Sequence, residues 1–458
     1  MFMAAADQTL LATATPAIAA TLGGLRDSSW IAVAYLLASA TIVPVYGRLG
    51  DSHGRRNMLL VALAVFVIGS VACGFARSMP QLVAARVLQG LGGGGLMTLA
   101  QATIGELVPP LERVRFQGYF ALVFATASIG GPVLGGIIVS HLSWRWLFFA
   151  NLPLAALAAW RLGRLPTGER FRPDNQGTDA PGHVLFATGA LAALFWLTSV
   201  GHRFGWASPA GIAILALAVL CLAALYRHER RHPAPFLPVD LWRQATVRLS
   251  ALLVFLFAAC LFSLVFFLPI YLQLGRGASA QSSGLLLLPI TAGQVSASLT
   301  VARLARRLRD PQRVPAIGMA VTSVAMALLA LLPPNRILVI VMGFAAGVGF
   351  GTVMAINQVV LQTAAGRARL GAVTAMSSLA RATGGATGAA LFGALIFAMI
   401  PDTDRQTLLQ HASEFGIARV VAAFHHGFLL VAGLAALASL TASRIPRVAL
   451  WKSPEKDG

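Results

Sequence analysis

Apolar runs of about twenty residues recur along the whole chain, broken by short segments rich in Arg, Pro and Gly. A helix of that length crosses the ~30 Å hydrocarbon core of a bilayer. Read between the breaks, the pattern predicts about fourteen transmembrane helices. Their centres fall near Leu11, Leu37, Val67, Gly94, Ala127, Pro153, Ala190, Leu217, Cys260, Ala292, Val324, Gly347, Gly388 and Leu434. The predicted class is an all-α polytopic membrane protein.

The polar positions test that count. If the amino terminus is cytoplasmic, every second connection is cytoplasmic too, and basic residues should gather there. The predicted inner segments hold Arg48, Arg55 and Arg56; Arg113 and Arg115; Arg161 to Arg172; Arg227 to Arg248; Arg303 to Arg313; Arg367 and Arg369; and Arg444 to Lys456. Together they carry 25 positives against 8 on the outer side, an alternation that a miscounted span would scramble. Both termini are therefore expected in the cytoplasm. Trp30, Trp144, Trp146 and Trp206 then fall at the outer interface, where indole rings prefer to sit. The first span lacks a basic flank before Asp7, so the reading frame is expected to start upstream. An amphipathic surface helix is expected between Pro401 and about Phe424.

Composition narrows the class. The chain is 57% hydrophobic and 11% charged, with a mean hydropathy of +0.75. A soluble chain cannot hide that much apolar surface, so lipid is an expected partner. The net charge of +19 would suggest nucleic acid in a soluble protein. Here it reads as orientation signals, and no nucleic acid is expected. Cys73, Cys221 and Cys260 are widely spaced within spans, so neither disulfides nor a metal site are predicted. A positioned nucleophile and base are missing, so no enzyme is expected. Lys452 and Lys456 follow no glycine, which leaves no phosphate-cradling loop for ATP-driven transport. No repeated filter suggests a channel. Secondary transport remains, with a non-transporting membrane sensor as the structural alternative.

An ionisable group inside a span is costly and is a functional candidate by default. Asp7 is the deepest acid: a proton-coupling or substrate-binding residue, or else a helix-end acid reaching water. Arg86, in the fourth span, needs a counter-charge or several carbonyls. Asp7 is the natural candidate, although depth counting puts it deeper than Arg86. Glu106 lies about 30 Å further along the same helix and is expected to pair with Arg113 or Arg55 instead. Arg381, in the thirteenth span, is expected to meet an anionic substrate or a structural partner. Gln273, Asn357 and Gln358 read as interhelical bonding groups, and His425 and His426 as interfacial. Glycines spaced by four (Gly90/Gly94, Gly131/Gly135, Gly343/Gly347/Gly351, Gly384/Gly388) place smooth stripes on helix faces, suited to close packing or to rocking. Pro132 is expected to kink the fifth span.

Between the second and third spans lies Gly47-Arg48-Leu49-Gly50-Asp51-Ser52-His53-Gly54-Arg55-Arg56. Its glycines permit a tight turn, Asp51 is placed to cap the third helix, and the arginines are placed to bridge to carboxylates or carbonyls. A partial copy, Ala302-Arg303-Leu304-Ala305, follows the tenth span, with Arg306 where the first has Asp51. Duplicated bundles are a transporter architecture. The expected division is residues 1–165 as a six-helix bundle, 166–245 as a linker with two inserted helices, 246–445 as a second six-helix bundle, and 446–458 as a tail.

The Gly47–Arg56 string resembles the signature loop of the major facilitator superfamily. Arg86-Val87-Leu88-Gln89-Gly90-Leu91-Gly92 resembles its buried-arginine motif, and Gly131-Pro132-Val133-Leu134-Gly135-Gly136 its antiporter motif. Asp7-Gln8-Thr9 with Ala14-Thr15-Pro16, Phe267–Gln273, Gly284–Pro289 and Arg381-Ala382-Thr383-Gly384-Gly385 resemble the fourteen-helix drug:proton antiporter branch (EmrB/QacA-type). The resemblance implies the major facilitator fold with two inserted helices, working in a bacterial inner membrane, and export of small amphiphilic molecules against protons. It leaves proton-coupled import as the alternative. It assigns Asp7, Arg86, Gln89 and Arg381 to coupling or substrate, and Gly47, Asp51, Gly54, Arg55, Arg56 and Arg113 to a conformational loop. Gly131, Pro132, Gly135 and Gly136 mark the direction of export. No cofactor is implied, and a monomer is expected.

Overall fold

The structure, a computed structural model, describes residues 1–22, 29–164, 179–199, 208–232, 239–276, 285–304, 310–332, 335–366, 369–399 and 417–448. These form α1 (Phe2–Leu22), α2 (Ser29–His53), α3 (Arg55–Gly74), α4 (Met79–Leu107), α5 (Pro110–His141), α6 (Trp146–Phe149), α7 (Asn151–Leu162), α8 (Ala180–Ser199) and α9 (Pro209–Glu229). Then follow α10 (Ala245–Arg276), α11 (Leu288–Leu304), α12 (Val314–Leu331), α13 (Arg336–Ala365), α14 (Leu370–Met399) and α15 (Ile417–Ser443). Each of the predicted span centres falls on its own helix, with Pro153 on α7. Among the described residues, 8 helices are long and apolar enough to cross a membrane. The predicted surface helix lies outside the described residues as far as position 416, and from Ile417 onward the chain belongs to α15. Trp206, Arg306, residues 165–178 and 233–238 of the inner linkers, and the tail from position 449 also lie outside them.

The chain divides into two units. The first comprises Met1–Pro109, Leu122–Arg243 and Ala365–Leu379; the second comprises Pro110–Ala121, Gln244–Ala364 and Ala380–Gly458. In the first, α4 packs against both α2 and α3, and α8 pairs with α9 and leans on α2. Phe186 and Ala190 of α8 meet Val45 of α2 there. Most of the α9 surface is apolar and exposed, including Ile212, Val219 and Leu220, as a lipid-facing helix requires. In the second unit α15 packs on α10 and α12. Its core is aromatic: Phe267 stacks on Phe392 at 4.8 Å, and Tyr271 meets Phe428 edge-on at 5.2 Å.

Glycine spacing sets the closest helix contacts. A Cβ on Gly90 or Gly94 would strike the carbonyls of Tyr35 and Ser39, themselves four apart on α2. Gly347 and Gly351 abut the carbonyls of Ile290 and Gln294 on α11, and Gly384 and Gly388 abut those of Phe255 and Ala259 on α10. Each stripe is thus matched by a stripe of backbone on its neighbour, and all of these pairs lie within one unit. Small residues permit such approach where lipid supplies no hydrophobic drive.

The Gly47–Arg56 segment departs from its prediction. It is not an open loop: α2 continues through His53, and Gly54 alone, at φ 91°, makes the turn into α3. Asp51 therefore sits on α2 and does not cap α3, whose N-cap position is Gly54 with no side-chain bond.

Candidate functional site

The first unit holds a dry polar cluster. Arg86 and Gln89 are three residues apart on α4 and so share a face. That face meets Asp7 of α1, Ser70 and Cys73 of α3, and Asn151 at the start of α7. Asp7 is 3% exposed, Arg86 1%, and Gln89 and Ser70 0%. Gly69 on α3 lets α4 come this near, since a Cβ there would lie 2.5 Å from the backbone of Gln89.

Every charge in the cluster is answered. Arg86 Nη1 donates to Asp7 Oδ2 and to Gln89 Oε1, each at 2.5 Å. Arg86 Nε donates to the Ile31 carbonyl at 2.9 Å, and the guanidinium lies 4.3 Å from the ring centre of Tyr35. Gln89 Nε2 donates to Asp7 Oδ1 at 2.9 Å and to Ser70 Oγ at 2.8 Å. Asn151 Nδ2 adds weaker contacts to both of those oxygens at 3.4 Å. A buried ion pair survives only when its remaining valences are satisfied in this way. Depth counting misjudged the pairing because α4 is 29 residues long. At 1.5 Å per residue that is about 43 Å, more than the bilayer needs, so position from its end is no measure of depth.

A second cluster, in the same unit, joins α2, α3 and α4. Arg55 bridges Asp51 and Glu106, both at 2.6 Å. Asp51 also accepts from the Gly371 backbone N–H at 3.2 Å, an orphan donor in the first turn of α14. Gly47 and Gly371 touch backbone to backbone, and a Cβ on either would collide with the other's carbonyl. Arg56 Nη2 donates to the Gly163 carbonyl at 2.6 Å, past the end of α7. Glu106 thus pairs with Arg55. Arg113 is buried in the other unit.

The antiporter-motif residues lie on α5, which is helical through Gly131, Pro132, Gly135 and Gly136. Gly131 and Gly135 are buried, while Gly136 is exposed with open space at its Cβ position. Arg381 lies in the second unit, on α14, half-buried and without a hydrogen bond or ion pair to any described residue. Asn357 donates to the Ser250 carbonyl at 3.1 Å, a bond between α13 and α10. Sequence reasoning missed Ser70, Asn151 and Tyr35. The signal for Ser70 and Asn151 was a polar side chain in or at the edge of an apolar run, which must find a partner when buried.

Apolar helices around a dehydrated acid–base cluster define the class as a polytopic membrane protein. The chain belongs to the Major Facilitator Superfamily, whose sequence profile matches residues 1–389. It is 34% identical over 400 residues to Multidrug transporter protein MdtP of Bacillus subtilis, covering 86% of this chain and 73% of that one. It is 30% identical over 399 residues to Multidrug resistance protein 3 of Bacillus subtilis, covering 86% and 77%. In fold it is similar to the proton:xylose symporter XylE, with a TM-score of 0.64 over 97% of this chain and 94% of that one, at 14% identity. The protein is therefore a superfamily transporter with multidrug efflux relatives, and its family is one of transporters, not of enzymes.

Proposed function

We propose that the protein exports drugs or other small amphiphilic molecules in exchange for protons, by alternating access, through a bacterial inner membrane. In this reading the chain has fourteen spans in a six, two, six arrangement, acts as a monomer and keeps both termini cytoplasmic. The observation that carries it is the buried Asp7–Arg86 pair. Arg86 stays charged, so a proton arriving on Asp7 removes its counter-charge and leaves a buried cation unpaired. Unprotonated and protonated forms then favour different surroundings for Arg86, and such a differential is what shifts a two-state equilibrium. Gln89 bridges both members and reports the change to α3 through Ser70. The multidrug relatives and the Gly131–Gly136 motif favour export over import. Arg381, with no hydrogen bond or ion pair among the described residues, is assigned to the substrate path, and Arg113 to the conformational machinery with Gly47, Asp51, Gly54, Arg55 and Arg56.

The proton gradient supplies about 2.3 kcal/mol per charge per 100 mV. Asp7→Asn keeps the shape of the side chain but removes its titration. In everted vesicles, pH-driven efflux of a cationic dye should vanish in this variant although the protein still reaches the membrane. Asp7→Glu should keep part of the activity. Wild-type pumping by Asp7→Asn, or efflux that survives collapse of the gradient, would overturn the mechanism.

A further inference from the structure

Away from both clusters, the α8–α9 pair brings three ligand-type side chains together. Asp179 immediately precedes α8, His228 lies in the last turn of α9, and His232 follows just beyond it. Their ligand atoms all lie within 4.8 Å of one another. Asp179 Oδ1 accepts from the Gly182 N–H at 2.9 Å and contacts His228 Nε2 at 2.6 Å. Asp179 Oδ2 is buried with no partner. The rings of His228 and His232 are 5.2 Å apart, and the helical turn is kept between them by the bond from His232 N to the His228 carbonyl at 3.0 Å.

We propose that Asp179, His228 and His232 form a transition-metal site of the Zn²⁺ class that clips the start of α8 to the end of α9. Two imidazoles and one carboxylate suit Zn²⁺ and its neighbours rather than Mg²⁺ or Ca²⁺, which prefer all-oxygen shells. Zinc binds His nitrogen and carboxylate oxygen at about 2.0–2.2 Å, which sets tetrahedral ligand atoms roughly 3.4 Å apart; the His228–Asp179 pair at 2.6 Å must open and the wider separations, up to 4.8 Å, must close, by rotamer adjustment at the partly exposed imidazoles. The ion would replace the proton shared between His228 Nε2 and Asp179, and Oδ2 offers the free lone pair. The string His228-Glu229-Arg230-Arg231-His232 has the H-E-x-x-H spacing that places two imidazoles on one helix face. Glu229, the acid of that spacing, is buried at 4% exposed, and three protein ligands leave a fourth position for water. Arg227, Arg230 and Arg231, adjacent in sequence, weaken any cation's binding without supplying competing ligands.

The test uses the full chain purified in detergent with any affinity tag removed. Co²⁺ is titrated as an optical probe, Zn²⁺ is used to displace it, and bound metal is counted after dialysis. Wild type should retain one molar equivalent and show the visible absorption of four- or five-coordinate Co²⁺. His232→Ala, outside the helix, and His228→Gln, which keeps a hydrogen bond to Asp179, should each weaken binding at least about 10-fold, a lower bound set by the loss caused even by indirect ligand supports. Metal-free unfolding midpoints should be unchanged in His232→Ala. If wild type retains no stoichiometric metal, or if both variants bind as tightly as wild type, the proposal is wrong.

Discussion

Two Asp–Arg clusters in one unit use the same chemistry at different depths of burial. In the first, Asp7 and Arg86 come from helices far apart in sequence and are 3% and 1% exposed. In the second, Arg55 is 4% exposed but its partners Asp51 and Glu106 keep 14% and 18% of their surface. Water can still solvate the second pair of carboxylates, so their charge is partly screened. The first cluster is almost fully buried, and among the described residues its charges are answered by Gln89, Asn151, the Ile31 carbonyl and the Tyr35 ring. A dehydrated pair makes any change of protonation expensive, which suits coupling. A half-wet pair that also holds a backbone N–H suits a contact made and broken during exchange. The contrast predicts a graded set of responses.

The largest effect should follow Arg86→Ala. Removing one member of a fully buried pair strands the other, at a cost of about 3–5 kcal/mol, so the variant should accumulate poorly or melt well below wild type in detergent. The double variant Asp7→Asn with Arg86→Ala should recover part of that loss, because no bare charge is left. Arg55→Met comes next. It leaves Asp51 and Glu106 facing each other without their shared cation, but both can turn to water, so the loss should be about 1–3 kcal/mol. Equal destabilisation by Arg86→Ala and Arg55→Met, measured by thermal unfolding in one detergent, would erase the distinction drawn here.

Much of this was legible in the sequence, for identifiable reasons. Helix centres follow from hydropathy, since each predicted centre lies on its own helix. Asp7, Arg86 and Glu106 stood out because charges in apolar runs are costly. Distance along α4 alone separated Glu106 from Arg86 and left Arg113 or Arg55 as its partner; the choice of Arg55 came from the structure. What could not be read was lateral placement. Nothing in the string Gly69-Ser70 announces that α4 will rest on it closely enough for Gln89 to bond Ser70. Likewise the glycine spacing of Gly347/Gly351 predicts a smooth face, while its partner stripe at Ile290/Gln294 has no sequence mark. The Gly47–Arg56 string misled because its glycines suggested a loop, whereas helix geometry absorbs Gly47 and Gly50 and only Gly54 needs a positive φ.

The smallest effect on stability should come from Asp51→Asn, and there the two clusters part most informatively. Asn keeps an oxygen to accept the Gly371 N–H and leaves Arg55 its 2.6 Å partner Glu106. Only the charge on Asp51 is lost, so folding should suffer by about 1 kcal/mol or less. Transport should nevertheless slow. A charged acceptor at the orphan N–H of α14 binds roughly twice as strongly as a neutral one, and the attraction of a carboxylate for a helix N-terminus goes with it. If the contact between Asp51 and Gly371 is one that exchange makes and breaks, weakening it changes the rate of interconversion and not the substrate site. The measurement is paired: equilibrium binding of a fluorescent substrate to purified protein, and initial efflux rate in vesicles with matched expression. Unchanged binding with slower efflux places Asp51 on the exchange step. Parallel loss of both would put it in the substrate site, where Asp7 and Arg86 are proposed to act, and the separation of roles between the half-wet and the dry cluster would fail.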